Sequence, residues 1–346
     1  MSGNSPFITV IVPVYNGHDY LHQCLDAIFA SSYGSFEMIV VDDCSTDDSA
    51  EIGRSKGSRI LSTAKQSGPA AARNLAAETA EGEILMFVDA DVVVKPETIG
   101  KVAERFERQP EISALFGSYD DEPAEKNFLS QYKNLQHHFV HQNSSSKAST
   151  FWSGLGAVRR EVFVEQGGFD CRKFSVPSIE DIDLGFRMSK AGRQIILDRS
   201  IQAKHLKKWK IIPHLRTEIF LRALPWSRLI HENQGMINDM NLKTADRASA
   251  VLVGLLLVTF PVVFWQPAAS FLIVLFLLVI AFLNRRILRF FAEKRGIVFA
   301  AMAFPWQLLY FFYSAVTFVV AWLMYALPKT LGFGRKEAAG SHGNQF

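Results

Sequence analysis

The run Ile84-Leu-Met-Phe-Val88, followed at once by Asp89-Ala-Asp91, constrains this chain more than any other stretch. Five consecutive apolar residues behind Glu83 have the pattern of a strand buried on both faces inside a parallel sheet. Carboxylates two residues apart on an extended chain point to the same side. Asp89 and Asp91 therefore set hard oxygen ligands at the C-terminal end of a strand, where open α/β sheets form their crevices. A divalent cation held there commonly carries a phosphate-bearing substrate.

The first 120 residues alternate strand and helix signals around this run. Strands are predicted over Ile8–Val14, Phe36–Val41, Arg59–Leu61 and Glu83–Val88. Helices are predicted over Tyr20–Ala30, from the capping-box-like Ser45-Thr-Asp-Asp48 to Lys56, from Gly68-Pro69 to Ala80, and over Pro96–Arg108. Such repeated units imply an α/β fold with a mostly parallel, doubly wound sheet flanked by helices. Beyond a strand at Ile112–Ser118 the alternation weakens. A helical stretch at Asn127–His141, a block at Phe151–Val158, a helix from Arg160, a helix over Glu180–Ala191 and a strand at Gln194–Leu197 follow.

Net charge is only +3, too small to imply a nucleic-acid partner, and Cys24, Cys44 and Cys171 have neither CxxC spacing nor an even-numbered framework. They fit a reducing compartment. Met1 to Pro6 carries no basic residue ahead of the first apolar run, so no signal peptide is expected. Charge and hydropathy are uneven further on. Between Lys204 and Arg228 many basic residues face a single acid, Glu218, and Trp209, Phe220 and Trp226 are interspersed, as in an amphipathic interfacial helix. Three apolar runs then follow, at Ala248–Trp265, Ala268–Leu283 and Val298–Leu327. Gln266-Pro267 would turn a helical hairpin, and the second run is short for a bilayer. Arg285, Arg286, Arg289, Lys294 and Arg295 place the following loop in the cytoplasm by the positive-inside rule. The third run reads as a full crossing or as a re-entrant or interfacial segment, with Lys329, Arg335 and Lys336 beyond it. The expected divisions are a catalytic domain over 1–203, a basic interfacial segment over 204–247, a membrane region over 248–327 and a polar tail over 328–346.

Acidic and polar clusters recur at the predicted ends of elements: Asp42-Asp43, Gly68 to Asn74, Asp89-Ala-Asp91, and Glu180-Asp181-Ile-Asp183. Taken singly, each reads as well as a helix cap, a polar strand end or first-turn acids favoured by the helix dipole. Taken together, Val10-Ile-Val-Pro-Val-Tyr-Asn16, Val40-Val-Asp-Asp43, Gly68 to Asn74, Asp89-Ala-Asp91, Gly167-Gly-Phe-Asp170 and Glu180-Asp181 stand in the order of the family 2 glycosyltransferases. The chain resembles that family over roughly residues 6 to 210. The resemblance implies the GT-A fold, a nucleotide-diphosphate sugar donor (UDP favoured) and Mg²⁺ or Mn²⁺.

The same resemblance implies roles for single residues. Pro13, Tyr15 and Asn16 would line the base and ribose pocket, and Asp42 or Asp43 would hold uracil or ribose. Arg73 would approach the diphosphate or the donor, Asp89 would contact ribose or sugar hydroxyls, and Asp91 would ligate the metal with His205 near it. Asp181 would be the catalytic base, with Glu180 beside it. One base and direct attack give inversion at the anomeric carbon. The turn Trp152-Ser-Gly154-Leu-Gly156 would face the acceptor. By contrast, the cluster His137, His138 and His141 lacks nearby cysteines and reads as a solvated helix face, and the Asn143-Ser-Ser sequon would go unmodified on a cytoplasmic domain. The Gln-x-x-Arg-Trp motif of the family's processive synthases has only a loose counterpart in Phe220-Leu-Arg-Ala-Leu-Pro-Trp226, without the glutamine. The expectation is therefore transfer of one sugar to a hydroxyl of a lipid or lipid-linked acceptor by a multi-pass protein of the plasma (inner) membrane. A polyprenyl-phosphate acceptor is the nearest alternative; a processive synthase and a non-catalytic nucleotide-sugar-binding protein stand behind it.

Overall fold

A computed structural model of the chain describes residues 5–233, 240 and 243–326. Its first half follows the predicted alternation: β1 (Ile8–Val14), α1 (His18–Phe29), β2 (Phe36–Asp42), α2 (Ser49–Ser55), β3 (Arg59–Ser62), α3 (Pro69–Thr79) and β4 (Ile84–Val88). β1 pairs in parallel with β2 and β4, and β2 with β3. Every residue of β1 and of β4 is buried, as an apolar run covered on both faces requires. The period-2 geometry divides β1 between two cores. Val10, Val12 and Val14 join Leu21, Leu25 and Ile28 of α1 on one face, whereas Ile11 joins Ala70, Ala72 and Ala76 of α3 on the other. The alanines of α3 let that helix sit close on the sheet.

The next elements are β5 (Val92–Val93), α4 (Thr98–Arg108), β6 (Ile112–Tyr119), α5 (Phe128–Gln142), β7 (Lys147–Ala148), β8 (Leu155–Arg159), α6 (Arg160–Glu165), α7 (Glu180–Lys190) and β9 (Gln194–His205). The sheet order is β3-β2-β1-β4-β8-β6-β9-β5, with β7 beside β9. β8 lies between β4 and β6 and runs antiparallel to both, so the sheet is mixed where a mostly parallel one is expected. β9 also continues past Leu197 to His205. That extension lets its last residues pair with β5, His205 opposite Val92. α2 begins at Ser49, later than the predicted Ser45 start, because Ser45 and Thr46 bond to Asn16 and form a loop instead.

The C-terminal part contains α8 (Ile211–Arg216), a π-helical stretch Thr217–Ala223, α9 (Leu224–Asn233), α10 (Thr244–Val262), α11 (Ser270–Leu283), α12 (Arg285–Arg295) and α13 (Ile297–Ala321). α10 and the 29-residue helix Ile297–Tyr325 are long and apolar enough to cross a membrane. α10 and α11 form the hairpin expected at Gln266-Pro267, closed at its base by Asn284 Nδ2 donating to Ser249 Oγ at 2.9 Å. α11 has only 14 residues and meets α12 at a 69° bend, so the pair is a broken span or a re-entrant loop. The basic residues after the second run are not a free loop. α12 lies on α5: Arg295 donates to Gln131, Arg286 to Asn143, Lys294 pairs with Asp121, and Phe291 packs among Leu129, Tyr132 and Leu135. Gln307, the polar residue inside the third run, accepts from Tyr132 and Gln136 of α5. The 328–346 tail and the end of the third run at Leu327 lie outside the described residues.

The helix carrying Glu180 and Asp181 touches the loop between β7 and β8 backbone to backbone. A Cβ at Gly185 would lie 2.2 Å from the Phe151 nitrogen and 2.5 Å from the Thr150 carbonyl carbon. Gly185→Ala is expected to cost about 1–3 kcal/mol or more and lower the thermal midpoint. Gly34→Ala, where an added Cβ meets nothing within 4 Å, should stay within ~0.5 kcal/mol of the parent.

Candidate active site

The crevice opens where β1, β2 and β4 end. β4 passes into a turn in which the Val92 N–H donates to the Asp89 carbonyl, while the Asp89 N–H donates to the Gly154 carbonyl at 3.1 Å. The β5–β9 pairing carries His205 and Lys207 to this turn. His205 Nε2 stands 3.6 Å from Asp91 and Lys207 Nζ 4.0 Å from it. Burial pushes the Asp91 carboxyl up, but the imidazole and the ammonium outweigh burial and hold it down at about 2. Asp91 is thus a hard anionic oxygen kept ionised at the mouth of the sheet.

Arg73, buried on α3, links two carboxylates that are far apart in sequence. Its Nη2 donates to Asp89 at 2.7 Å and its Nη1 to Glu180 at 3.1 Å. Nη1 and Nη2 thus clamp the strand end to α7, while the buried Nε has no hydrogen-bond partner and the side chain lines the cavity. Glu180 also accepts from the Ser178 N–H at 2.9 Å. Asp181 is held differently: one oxygen accepts from the Ser153 N–H at 3.0 Å and hydroxyl at 3.2 Å, the other from the Ile182 N–H at 2.8 Å. Burial, and then the neighbouring Glu180 carboxylate, push Asp181 up to about 6 against the Ser153 bond and the Arg73 charge. A buried carboxylate with a raised pKa and fixed orientation has the attributes of a general base.

The remaining nominated residues separate by what they touch. Pro13 and Tyr15 line the cavity. Asn16, with φ 51°, also lines it, but its side chain accepts from the Thr46 N–H at 2.8 Å and ties the two loops beside the pocket. Asp42 accepts from the Ser45 N–H, in the loop ahead of α2, and does not line the cavity. Asp43 lines the cavity and accepts from Ser67 N–H, Thr63 hydroxyl and Gly68 N–H, each at 2.8 Å, which fixes the start of α3. Trp152 and Gly154 line it as well, and a Cβ on Gly154 would meet the indole at 2.6 Å. His205 sits behind Asp91, its ring stacked on Tyr119 at 4.1 Å, and is not part of the cavity wall.

The cavity, about 750 Å³, extends well beyond these residues, to α5, α9 and α13. Two features of that extension run against the sequence reading. His137 and His141 do not form a solvated face: they pack on each other and on Trp152, and His141 Nδ1 donates to the Gly117 carbonyl at 3.0 Å. Burial lowers both imidazoles, His141 to about 4, so they are neutral wall elements. Trp209 is buried beside α5 rather than set at an interface, while Phe220 is exposed as an interfacial residue should be. Glu218, the lone acid of the basic segment, accepts from Lys133 and Arg222 at 2.8 Å each. Burial raises its carboxyl, and the two cations overcome that to hold it at about 2. Sequence reasoning missed Lys133 as a cavity residue; its position four residues before His137, and eight before His141, on one helical face was the available signal.

The donor set fits a divalent cation in a limited way. Among the described residues no three His, Cys, Asp or Glu side chains gather as a complete cage. Hard cations that keep waters and share phosphate oxygens need only one or two protein carboxylates. Asp91, ionised and facing the cavity, meets that requirement.

Residues 9–167 match the sequence model of the family described as Glycosyl transferase family 2. An uncharacterized glycosyltransferase of Haemophilus influenzae is 38% identical over 103 residues, which is 28% of this chain and 41% of the relative. The chain spans 33% to 43% of the length of the first three curated relatives it matches. Among solved structures, a mannosyltransferase of Pyrobaculum calidifontis in complex with GDP-Man and Mn²⁺ superposes with a TM-score of 0.55 at 19% identity, covering 91% of this chain and 87% of the other. Staphylococcus aureus TarS residues 1–349 in complex with UDP-GlcNAc gives 0.53 at 17% identity, covering 93% and 92%. These likenesses establish the GT-A fold.

The Arg73 clamp makes a stability prediction. Arg73→Met leaves two carboxylates facing each other without their shared cation and is expected to cost about 3–5 kcal/mol. Glu180→Gln, which keeps shape and an acceptor oxygen, should cost less. Denaturant unfolding of the two variants checks the order.

Proposed function

We propose that this chain, a member of glycosyl transferase family 2, moves one sugar from a nucleotide-diphosphate sugar to a hydroxyl of a lipid or lipid-linked acceptor, with inversion at the anomeric carbon. The observation that carries the reading is Asp181, anchored by Ser153, raised to about 6 and opening on the same cavity as Asp91. In the proposed step the acceptor hydroxyl gives its proton to Asp181 as its oxygen bonds to the anomeric carbon. The bond from that carbon to the diphosphate oxygen breaks, and the electron pair leaves with the nucleoside diphosphate. No second carboxylate is required as a covalent nucleophile. Asp91 would hold Mg²⁺ or Mn²⁺, with His205 supporting it, and the bound cation would neutralise charge on the departing diphosphate. Asp89, with one oxygen on Arg73, keeps the other for donor hydroxyls. Pro13, Tyr15 and Asp43 frame the base and ribose.

A nucleotide-sugar donor agrees with the structural neighbours, one bound to GDP-Man and one to UDP-GlcNAc, and the choice between UDP and GDP follows family habit in favouring UDP. A membrane acceptor is supported by the apolar α10–α11 hairpin and the exposed apolar face of α13, which adjoin the catalytic domain. Docking of the basic α12 on that domain would put both on the cytoplasmic side of the plasma (inner) membrane. The base at Asp181 favours a hydroxyl over a polyprenyl phosphate, which needs no deprotonation.

Asp181→Asn is expected to lower kcat by about 10²–10⁴-fold and leave the KM for donor unchanged. Because the carboxylate form is the active one, kcat in the parent should fall about tenfold per pH unit below about 6 and be flat above it. EDTA should abolish turnover and Mn²⁺ restore it. Full activity in Asp181→Asn would overturn the base assignment; metal-independent turnover would overturn the role of Asp91.

A further inference from the structure

On α13 the polar residues Tyr310, Tyr313, Ser314 and Thr317 fall at i, i+3, i+4 and i+7, and all of them line the cavity that also holds Asp91 and Asp181. Phe312, Val316, Val319 and Val320 of the same helix are exposed and apolar. A polar stripe on a helix of membrane-compatible length is costly unless it meets protein or ligand. Part of this one is satisfied within the protein: Tyr313 donates to Glu218 at 3.3 Å, and Thr317 Oγ1 donates to the Tyr313 carbonyl at 2.8 Å. The stripe still forms a wall of the cavity. Opposite it stand Lys133 and Arg222, two cations sharing the single carboxylate of Glu218. The trio carries a net +1, and the Arg222 side chain is 43% exposed although its partner Glu218 is only 5% exposed. The surplus charge therefore lies on the solvent-facing member, in the wall of the cavity that the stripe, Asp91 and Asp181 also line.

We propose that the lobe enclosed by α5, α9 and α13 is the acceptor subsite, and that it takes a membrane lipid whose head group carries a phosphodiester and, beyond it, a free hydroxyl. The phosphodiester meets Arg222, with Lys133 behind it. The hydroxyls of the α13 stripe meet the glycerol-like part of the head group, and the terminal hydroxyl reaches Asp181. This assignment rests on the glycosyl-transfer reading above and names the chemistry of its acceptor.

The test uses the full chain in detergent micelles, with Trp152 and Trp226 in the cavity wall as fluorescent reporters. Dihexanoyl phosphatidylglycerol is titrated against its uncharged counterpart, dihexanoylglycerol. The phosphodiester lipid is expected to change the fluorescence saturably, with an affinity at least about tenfold above that of the neutral lipid. Arg222→Gln should remove most of that difference, and Thr317→Val should weaken binding about threefold, with thermal stabilisation by UDP-sugar and Mn²⁺ unchanged. If Arg222→Gln does not fold, Thr317→Val and the lipid comparison decide. Equal affinity for the two lipids, binding of neither, or variants without effect would overturn the subsite. Geranyl phosphate binding more tightly than the diester would overturn the choice of a diester over a monoester. Donor stabilisation that persists while lipid binding fails sinks this inference alone; absent donor stabilisation sinks the transfer reading instead.

Discussion

The arrangement depends on one buried guanidinium. Arg73 comes from the helix that follows β3, Asp89 from the end of β4, and Glu180 from a helix 107 residues beyond Arg73. Hydrogen bonds of 2.7 and 3.1 Å to the two carboxylates bind the β4 end of the crevice to the side that holds Asp181. Desolvating Arg73 is costly, and two anions in fixed geometry offset that cost. Asp43 contributes by accepting from the Gly68 N–H, which sets the first turn of α3 and so the direction of Arg73. Asn74, the next residue, accepts from the Phe169 N–H at 2.9 Å and donates to the Phe169 carbonyl at 2.8 Å, fastening the loop ahead of α7. Residues that the sequence presents as separate motifs are thus parts of one brace.

The same logic extends to the apolar segments. Gln307, placed inside a run that reads as purely hydrophobic, bonds to Tyr132 and Gln136, and Tyr313 reaches Glu218. Gln307 thus has its counterparts on α5, and Tyr313 has its own on the π-helical stretch before α9. Removing one partner in such surroundings leaves the other unsatisfied, which is more costly than a missing contact on a wet surface.

The sheet around β1, β2 and β4 was legible because full burial imposes continuous apolar runs, and short turns impose their Gly, Pro and Asn signals. The direction of β8 was not, since an apolar strand looks the same in either direction. The course of β9 to His205 was hidden for a related reason: Arg199, Lys204 and other polar residues interrupt its apolar pattern while its backbone goes on pairing. In the site, Asp91 follows the end of β4 and Asp181 lies in the first turn of α7, on the elements that the apolar runs and helix signals predict. The partners of Arg73 and the ties of Asn16 were not legible, because a hydrogen bond between residues distant in sequence leaves no local pattern. The histidines of α5 misled for a different reason. Polar composition suggests solvent, but imidazoles kept neutral can pack against Trp152 and Tyr119 as flat, weakly polar rings.

The 69° bend between α11 and α12 has a geometric consequence. Since α12 is fastened to α5 and its end through Arg286, Phe291 and Arg295, the crevice stands at a set distance from α11. For the lipid acceptor proposed above, such a hold would work as a calliper. Acceptors would be sorted by how far their reactive oxygen extends from the lipid anchor, before any contact with the cavity discriminates among them. A head group one unit too short would never arrive, and one much too long would lose conformational entropy on folding back.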